Sequence, residues 1–209
     1  MSLAYDTAWM ALRERGRFVP GESVLVLGAS GAVGQAAVQL AHALGAGTVL
    51  AGVSRPGRPT GPADGVVDLS GSDLRTSVRE EVLDATAGAG VDIVIDPLGG
   101  DAFDGAVRSL AWRGRLVVVG FAAGRIPVLK ANYPLLKNIE ISGLQISDYR
   151  KRAPELVKEC YREVFGLCVE GRVQPPESTV SPLSEWRIAW EELSSRRAGH
   201  RLVLEPSEQ

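Results

Sequence analysis

The apolar run Val24-Leu25-Val26-Leu27 breaks into Gly28-Ala29-Ser30-Gly31-Ala32-Val33-Gly34, and an amphipathic helical pattern begins inside that turn. A strand that stops at a glycine-rich turn and continues directly as a helix opens a βαβ unit. The first glycine of a G-x-G-x-x-G pattern is replaced here by Ala29, so strand before and helix after are what give the motif its meaning. In that context Gly31 lets backbone approach a pyrophosphate and Gly34 lets the helix pack closely on the sheet. The free N–H groups of the helix N-terminus offer partial positive charge to the phosphates. Ala29, Ser30, Gly31, Ala32, Val33 and Gly34 are therefore the first candidate binding residues.

The remaining chain repeats the alternation. Val33, Ala37, Leu40, Ala41 and Leu44 recur at helical spacing, and further helical patterns run through Leu74, Val78 and Val82, through Phe103, Ala106, Val107 and Leu110, and from Val157 to Cys168. Between them, Thr48 to Val53, Val91 to Ile95, Leu116 to Val119 and Ile139 to Leu144 are continuous apolar runs, with Gly65 to Leu69 as a sixth strand. Continuous runs suit parallel strands covered by helices on both faces. The expected fold is α/β, a doubly wound parallel sheet (Rossmann fold) with a small C-terminal appendage. Residues 1–171 form the dinucleotide-binding domain with its leading helix, and residues 172–209 form a strand-helix-strand appendage. In the appendage Trp186, Ala189, Trp190 and Leu193 share a helix side and read as core, while the final strand from Arg201 to Leu204 has no evident partner.

An Asp or Glu about 20 residues beyond the glycine turn normally holds the ribose 2'-hydroxyl of a dinucleotide. At that place stand Ser54, Arg55 and then Arg58. A hydroxyl and guanidinium groups suit a 2'-phosphate, which a carboxylate would repel. The cofactor read from these residues is NADP rather than NAD.

Composition limits the partners. With 45% hydrophobic and 23% charged residues and a formal net charge of -2, the 209-residue chain suits neither a disordered segment nor a basic nucleic-acid surface. No run approaches the roughly 20 apolar residues that span a bilayer, and Met1 to Asp6 lacks the features of a signal peptide, so no membrane role and a cytoplasmic address are expected. Cys160 and Cys168 lie in one helical pattern, and His42 and His200 have no ligand cluster at metal spacing, so neither a disulfide framework nor a zinc site is expected.

Thr7-Ala8-Trp9-Met10-Ala11-Leu12, Pro20 to Val26, the glycine turn, Asp96-Pro97-Leu98-Gly99-Gly100, Gly114 to Phe121, Leu136-Lys137-Asn138 and Gly199 to Leu204 follow one another in a familiar order. The sequence resembles the zinc-independent quinone oxidoreductase branch of the medium-chain dehydrogenase/reductases over residues 4 to 206. That resemblance implies that Thr7 lies against a nicotinamide, Gly31 to Gly34 hold the pyrophosphate, and Ser54 and Arg55 hold the 2'-phosphate. It places Gly120, Phe121, Leu144 and Gln145 around the nicotinamide ribose and carboxamide. The family commonly has a short helix with a basic residue after the second strand, whereas Arg55 to Pro62 holds three prolines and two glycines here. This departure leaves the individual roles of Arg55 and Arg58 open.

The resemblance also implies a β-rich N-terminal domain, on the order of 100 residues, that forms most of a substrate pocket and is absent from this sequence. The chain is expected to be an excised cofactor-binding domain rather than a naturally short protein, with its appendage packing on the absent domain. The implied chemistry is hydride transfer from NADPH to a small-molecule substrate, a quinone or an α,β-unsaturated carbonyl (enal or enone), with no catalytic side chain named. An enoyl or alkenal reductase, or an NADPH-binding module without chemistry, are the alternatives. A homodimer is expected through the edge strand from Ile139 to Ile146, because a long and nearly uncharged edge invites a two-fold partner.

Overall fold

The computed structural model describes residues 2–55, 57, 60–175, 177–195 and 201–206. Its backbone falls into two units, Met1–Val173 and Gln174–Gln209. In the first, β1 (Ser23–Leu27), β2 (Thr48–Val53), β3 (Gly65–Asp68), β4 (Val91–Asp96), β5 (Leu110–Val118) and β6 (Glu140–Gly143) form one sheet in the order β3-β2-β1-β4-β5-β6. Every pairing is parallel. The chain therefore winds outward from β1 to β3, returns to lay β4 on the other side of β1, and winds outward again. The direction reverses between β1 and β4, and it is at this switch point that the topology of such sheets places the ligand crevice.

The central strands β1, β2 and β4 are buried at nearly every position because both faces are covered. Val24 and Val26 of β1 point into one core with Ile93 and Ile95 of β4, while Leu25 and Leu27 point into the other with Val94 and Leu116. The first core is closed by α1 (Ser2–Trp9), its continuation as a wider π-type turn at Met10–Arg15, α2 (Ala32–Ala43) and α7 (Pro154–Val169). The second is closed by α3 (Leu74–Ala85) and α4 (Gly100–Ala106). Two short helices, α5 (Asn132–Lys137) and α6 (Ile146–Arg152), flank β6.

Two local expectations change in the sheet. Leu110, grouped by spacing with the helix before it, is instead the first residue of β5. Val91 pairs with Leu110 but Ile93 with Arg115, so the strand bulges between them. Arg113 sits at φ +65° within the bulge, its N–H donating to Asn138 O at 3.1 Å, and Trp112 is thrown into solvent. The bulge hides the strand's period from a sequence reading. The last strand is also shorter than expected: it spans Glu140–Gly143, Gln145 caps α6, and Ile146 is already helical.

In the second unit β7 (Ser178–Pro182) lies parallel to β8 (Arg201–Glu205), with α8 (Trp186–Ser194) between them in sequence. The final strand thus has a partner within its own unit. The expectation that the α8 apolar side is core is overturned: Trp186, Trp190 and Leu193 are 49%, 64% and 55% exposed. Two strands and one helix enclose too little volume to bury a stripe of this size.

Candidate functional site

The candidate site is the C-terminal edge of the six-stranded sheet, where the loops after β1, β2, β4, β5 and β6 emerge on one side. At the end of β1, Gly28 adopts φ +63°, a left-handed conformation that turns the chain at no steric cost only when no Cβ is present. Gly31 N–H closes the turn onto Gly28 O at 2.9 Å, and Ala29 N–H ties it to Gly52 O near the end of β2 at 2.9 Å. Gly31 is the N-cap of α2 with no side chain bonded to the helix, so the first-turn N–H groups point outward without a side-chain acceptor. Ala29 and Gly34 are buried, whereas Gly31 and Ala32 are exposed.

Gly34 shows why the third position must be small. A Cβ there would lie 2.2 Å from Gly28 O and 2.7 Å from Ala29 Cα, inside the backbone of the turn. A Cβ on Gly31 would meet only Gly28 O, at 3.3 Å. The two glycines therefore answer to different constraints, Gly34 to helix packing and Gly31 to the open side. This cradle fits a pyrophosphate in contact with backbone and helix N-terminus.

At the end of β2, Ser54 and Arg55 are exposed. Arg58 lies outside the described residues. The first acid after Ser54 in sequence is Asp64, which accepts Val49 N–H at 2.7 Å at the start of β2, far along the strand from Ser54. A carboxylate that sequence spacing did not bring into view is Asp68, whose Cα is in register with Val53 at the end of β3. It accepts Ser70 N–H at 2.8 Å and Ser70 Oγ–H at 3.0 Å, and these bonds hold it below the usual carboxylate range.

Asp96, at the end of β4, ties its own loop to the loop after β5. Its side chain is wholly buried and Oδ1 accepts both Leu98 N–H and Gly99 N–H at 2.8 Å, while Oδ2 has no partner. Burial raises its pKa, and the Gly99 and Leu98 N–H groups only partly oppose the rise. Its carbonyl accepts Val119 N–H at 2.8 Å and Gly120 N–H at 3.3 Å from the loop after β5. The Leu98 side chain covers Gly28, and Phe121 packs over Gly99, each within 3.0 Å of where a Cβ would stand. The segment Asp96 to Gly100 was legible in the sequence as a motif, but the burial of the carboxylate and the carbonyl's bonds to the loop after β5 were not.

Gly120 and Phe121 thus stand beside the β4 loop, with Phe121 44% exposed. Leu144 N–H donates to Val118 O at 3.0 Å, which fixes the turn after β6 beside β5; Leu144 is buried and Gln145 exposed. Thr7 lies on α1, nearly buried, and gives its hydroxyl proton to Leu3 O at 2.6 Å, so Oγ1 keeps acceptor capacity. His42 is on α2, and His200 lies outside the described residues. Burial pushes the Cys160 thiol up to about 12, which makes it an apolar core group rather than a ready ligand. Among the described residues no group of three or more His, Cys, Asp or Glu side chains could hold a metal ion, and no helix is long and apolar enough to cross a membrane.

Residues 32–162 match a family described as zinc-binding dehydrogenase. Quinone oxidoreductase-like protein 2 of Bos taurus is 35% identical over 204 residues, covering 98% of this chain but 58% of its own length. Among solved structures, a probable oxidoreductase from Mycobacterium abscessus is 35% identical with a TM-score of 0.79, over 98% of this chain and 60% of that one. A mycobacterial protein complexed with NADPH is 26% identical with a TM-score of 0.85, over 98% of this chain and 64% of that one. The chain therefore spans under two thirds of the length of these relatives.

Proposed function

The chain belongs to the zinc-binding dehydrogenase family, a medium-chain dehydrogenase/reductase lineage, and from that premise we propose that it is the NADPH-binding part of a quinone oxidoreductase-like reductase. The observation that carries the reading is the crevice itself. An uncapped α2 N-terminus faces outward beside Gly31, at the point where strand order reverses between β1 and β4. Support for NADP over NAD comes from Ser54 at the end of β2, where the ribose-binding acid would stand, and from the related mycobacterial protein complexed with NADPH.

In this reading Ala29 to Gly34 hold the pyrophosphate, Ser54, Arg55 and Arg58 surround the 2'-phosphate, and Thr7, Gly120, Phe121, Leu144 and Gln145 line the nicotinamide end. NADPH supplies the hydride, and the protein supplies position and exclusion of water. The electron acceptor is a quinone or an α,β-unsaturated carbonyl. The relatives are longer than this chain, and a further domain would provide the second wall of the substrate pocket and cover the exposed Trp186, Ile188, Trp190 and Leu193 of α8. The reading gives zinc no role in this chain, so protein saturated with NADPH should carry no stoichiometric zinc by elemental analysis.

The edge of β6 stays the expected two-fold contact, although it offers four ladder residues and carries the exposed Glu140–Arg17 ion pair at 2.8 Å. The test of function is a panel of quinones, enals and enones reduced with NADPH by the longer protein that contains the chain. Reduction of quinones or enones supports the reading, and NADPH binding without turnover of any acceptor points to a non-catalytic module.

A further inference from the structure

Asp6 is a carboxylate with 0% exposure on α1, and its position beside Thr7 is not explained by the cofactor assignments above. Oδ1 accepts Thr7 N–H at 2.7 Å, with Thr7 Oγ1 at 3.5 Å, and Oδ2 accepts Arg150 Nη2 at 2.6 Å and Tyr161 Oη at 3.3 Å. Arg150 belongs to α6 and Tyr161 to α7. An ion pair whose carboxylate is fully buried while its Arg150 partner stays 42% exposed is a poor choice for joining helices if stability alone is at issue, because desolvating the carboxylate offsets much of what the pair contributes. What the pair does provide is a fixed distance and direction between two backbone segments.

Those segments are the ones assigned above to the nicotinamide. Asp6 is covalently next to Thr7 and bonds its N–H. Arg150 sits on a helix that starts at Ile146, one residue beyond Gln145 and two beyond Leu144. This helix has no fully buried residue; Ile146 and Tyr149 reach the core only partly, so the bond to Asp6 is its charged anchor to α1. Resting on the crevice reading, we propose that Asp6, through Arg150, is a positioning residue that holds Thr7 and the Leu144–Gln145 turn at a fixed spacing at the nicotinamide end of the crevice. Asp6 touches no reacting atom in this scheme. It fixes the spacing of the two segments assigned to the nicotinamide end.

The test separates the two halves of the cofactor. Asp6→Asn and Arg150→Gln are titrated with NADPH and with adenosine 2',5'-bisphosphate, which keeps the 2'-phosphate and adenine end but has no nicotinamide. This positioning role predicts NADPH binding weakened roughly fivefold in either variant, bisphosphate binding unchanged, a reduced emission gain of bound NADPH, and recovery of most of the loss in Arg150→Lys. Equal weakening of both ligands, or none for NADPH, overturns it. If Asp6→Asn fails to fold, Arg150→Gln carries the same comparison from the half-exposed partner. Failure of the unsubstituted chain to bind either ligand instead overturns the crevice reading, and is distinct from any selective or uniform loss in the variants.

Discussion

In the proposed reading, Ser54 decides cofactor preference by the charge it does not carry. A carboxylate there would meet the 2'-phosphate of NADPH but could hold the 2'-hydroxyl of NADH. Ser54→Asp should therefore weaken NADPH roughly 10- to 100-fold and leave NADH as tight or tighter, read by calorimetric titration. Unchanged preference would move the phosphate away from β2. Asp96 makes a prediction of a different kind. Because burial raises its pKa in the folded protein above the ordinary 3.8, the native state holds that proton more strongly than the unfolded chain. The associated stability is complete below the ordinary value and is lost as pH rises through the raised one. Asp96→Asn does not titrate, so its stability relative to the parent should improve as pH goes from about 4 to 7, measured by urea unfolding. A constant difference across that range would mean that Asp96 titrates alike in both states. Sequence spacing could point to Ser54, Gly31 and Gly34, since each belongs to a local pattern. The roles of Asp96 and Asp6 could not be read that way, because burial and partners 23 to 155 residues distant exist only in the fold.

Strand, turn and helix at the start of the sheet were legible because one short segment holds the whole signal: an apolar run, a turn that needs φ +63° at Gly28, and a helix packed against it. The structure separates the duties of the two following glycines. Gly34→Ala forces α2 off the turn, since the nearest atoms are backbone and cannot yield, and should cost about 1–3 kcal/mol of stability in thermal or urea unfolding. Gly31→Ala meets a single oxygen at 3.3 Å. It should fold close to normally and lose NADPH affinity, because the added methyl projects toward the phosphate. Comparable destabilisation by both would show that Gly31 also serves packing. Elements were misread where the period is short or broken. The bulge between Leu110 and Arg115 concealed half of β5, and α5 and α6, with six and seven residues, offer too few turns for a periodic pattern.

On the scale of the molecule, the parallel sheet and its order follow from alternating apolar runs and helices, and the exposed α8 stripe is the place where composition misled, since apolar spacing reports a buried face without saying what buries it. The proposal that a further domain supplies the second wall of the substrate pocket has a kinetic consequence. In that reading the orientation contribution of about 7–11 kcal/mol depends on the further domain. The 209-residue chain should bind NADPH yet oxidise it only slowly with small quinones in a steady-state assay. Fast turnover by this chain would place the substrate site within it. The β6 edge predicts a dimer in sedimentation at micromolar concentration, and a monomer there would remove the two-fold contact. The account as a whole stands on one claim, that the crevice between β1 and β4 is built for a 2'-phosphorylated dinucleotide. Calorimetric titration of the chain with NADPH and with NADH addresses it most directly. The account predicts tighter binding of NADPH by roughly 10- to 100-fold; equal affinities, or binding of neither, would contradict it.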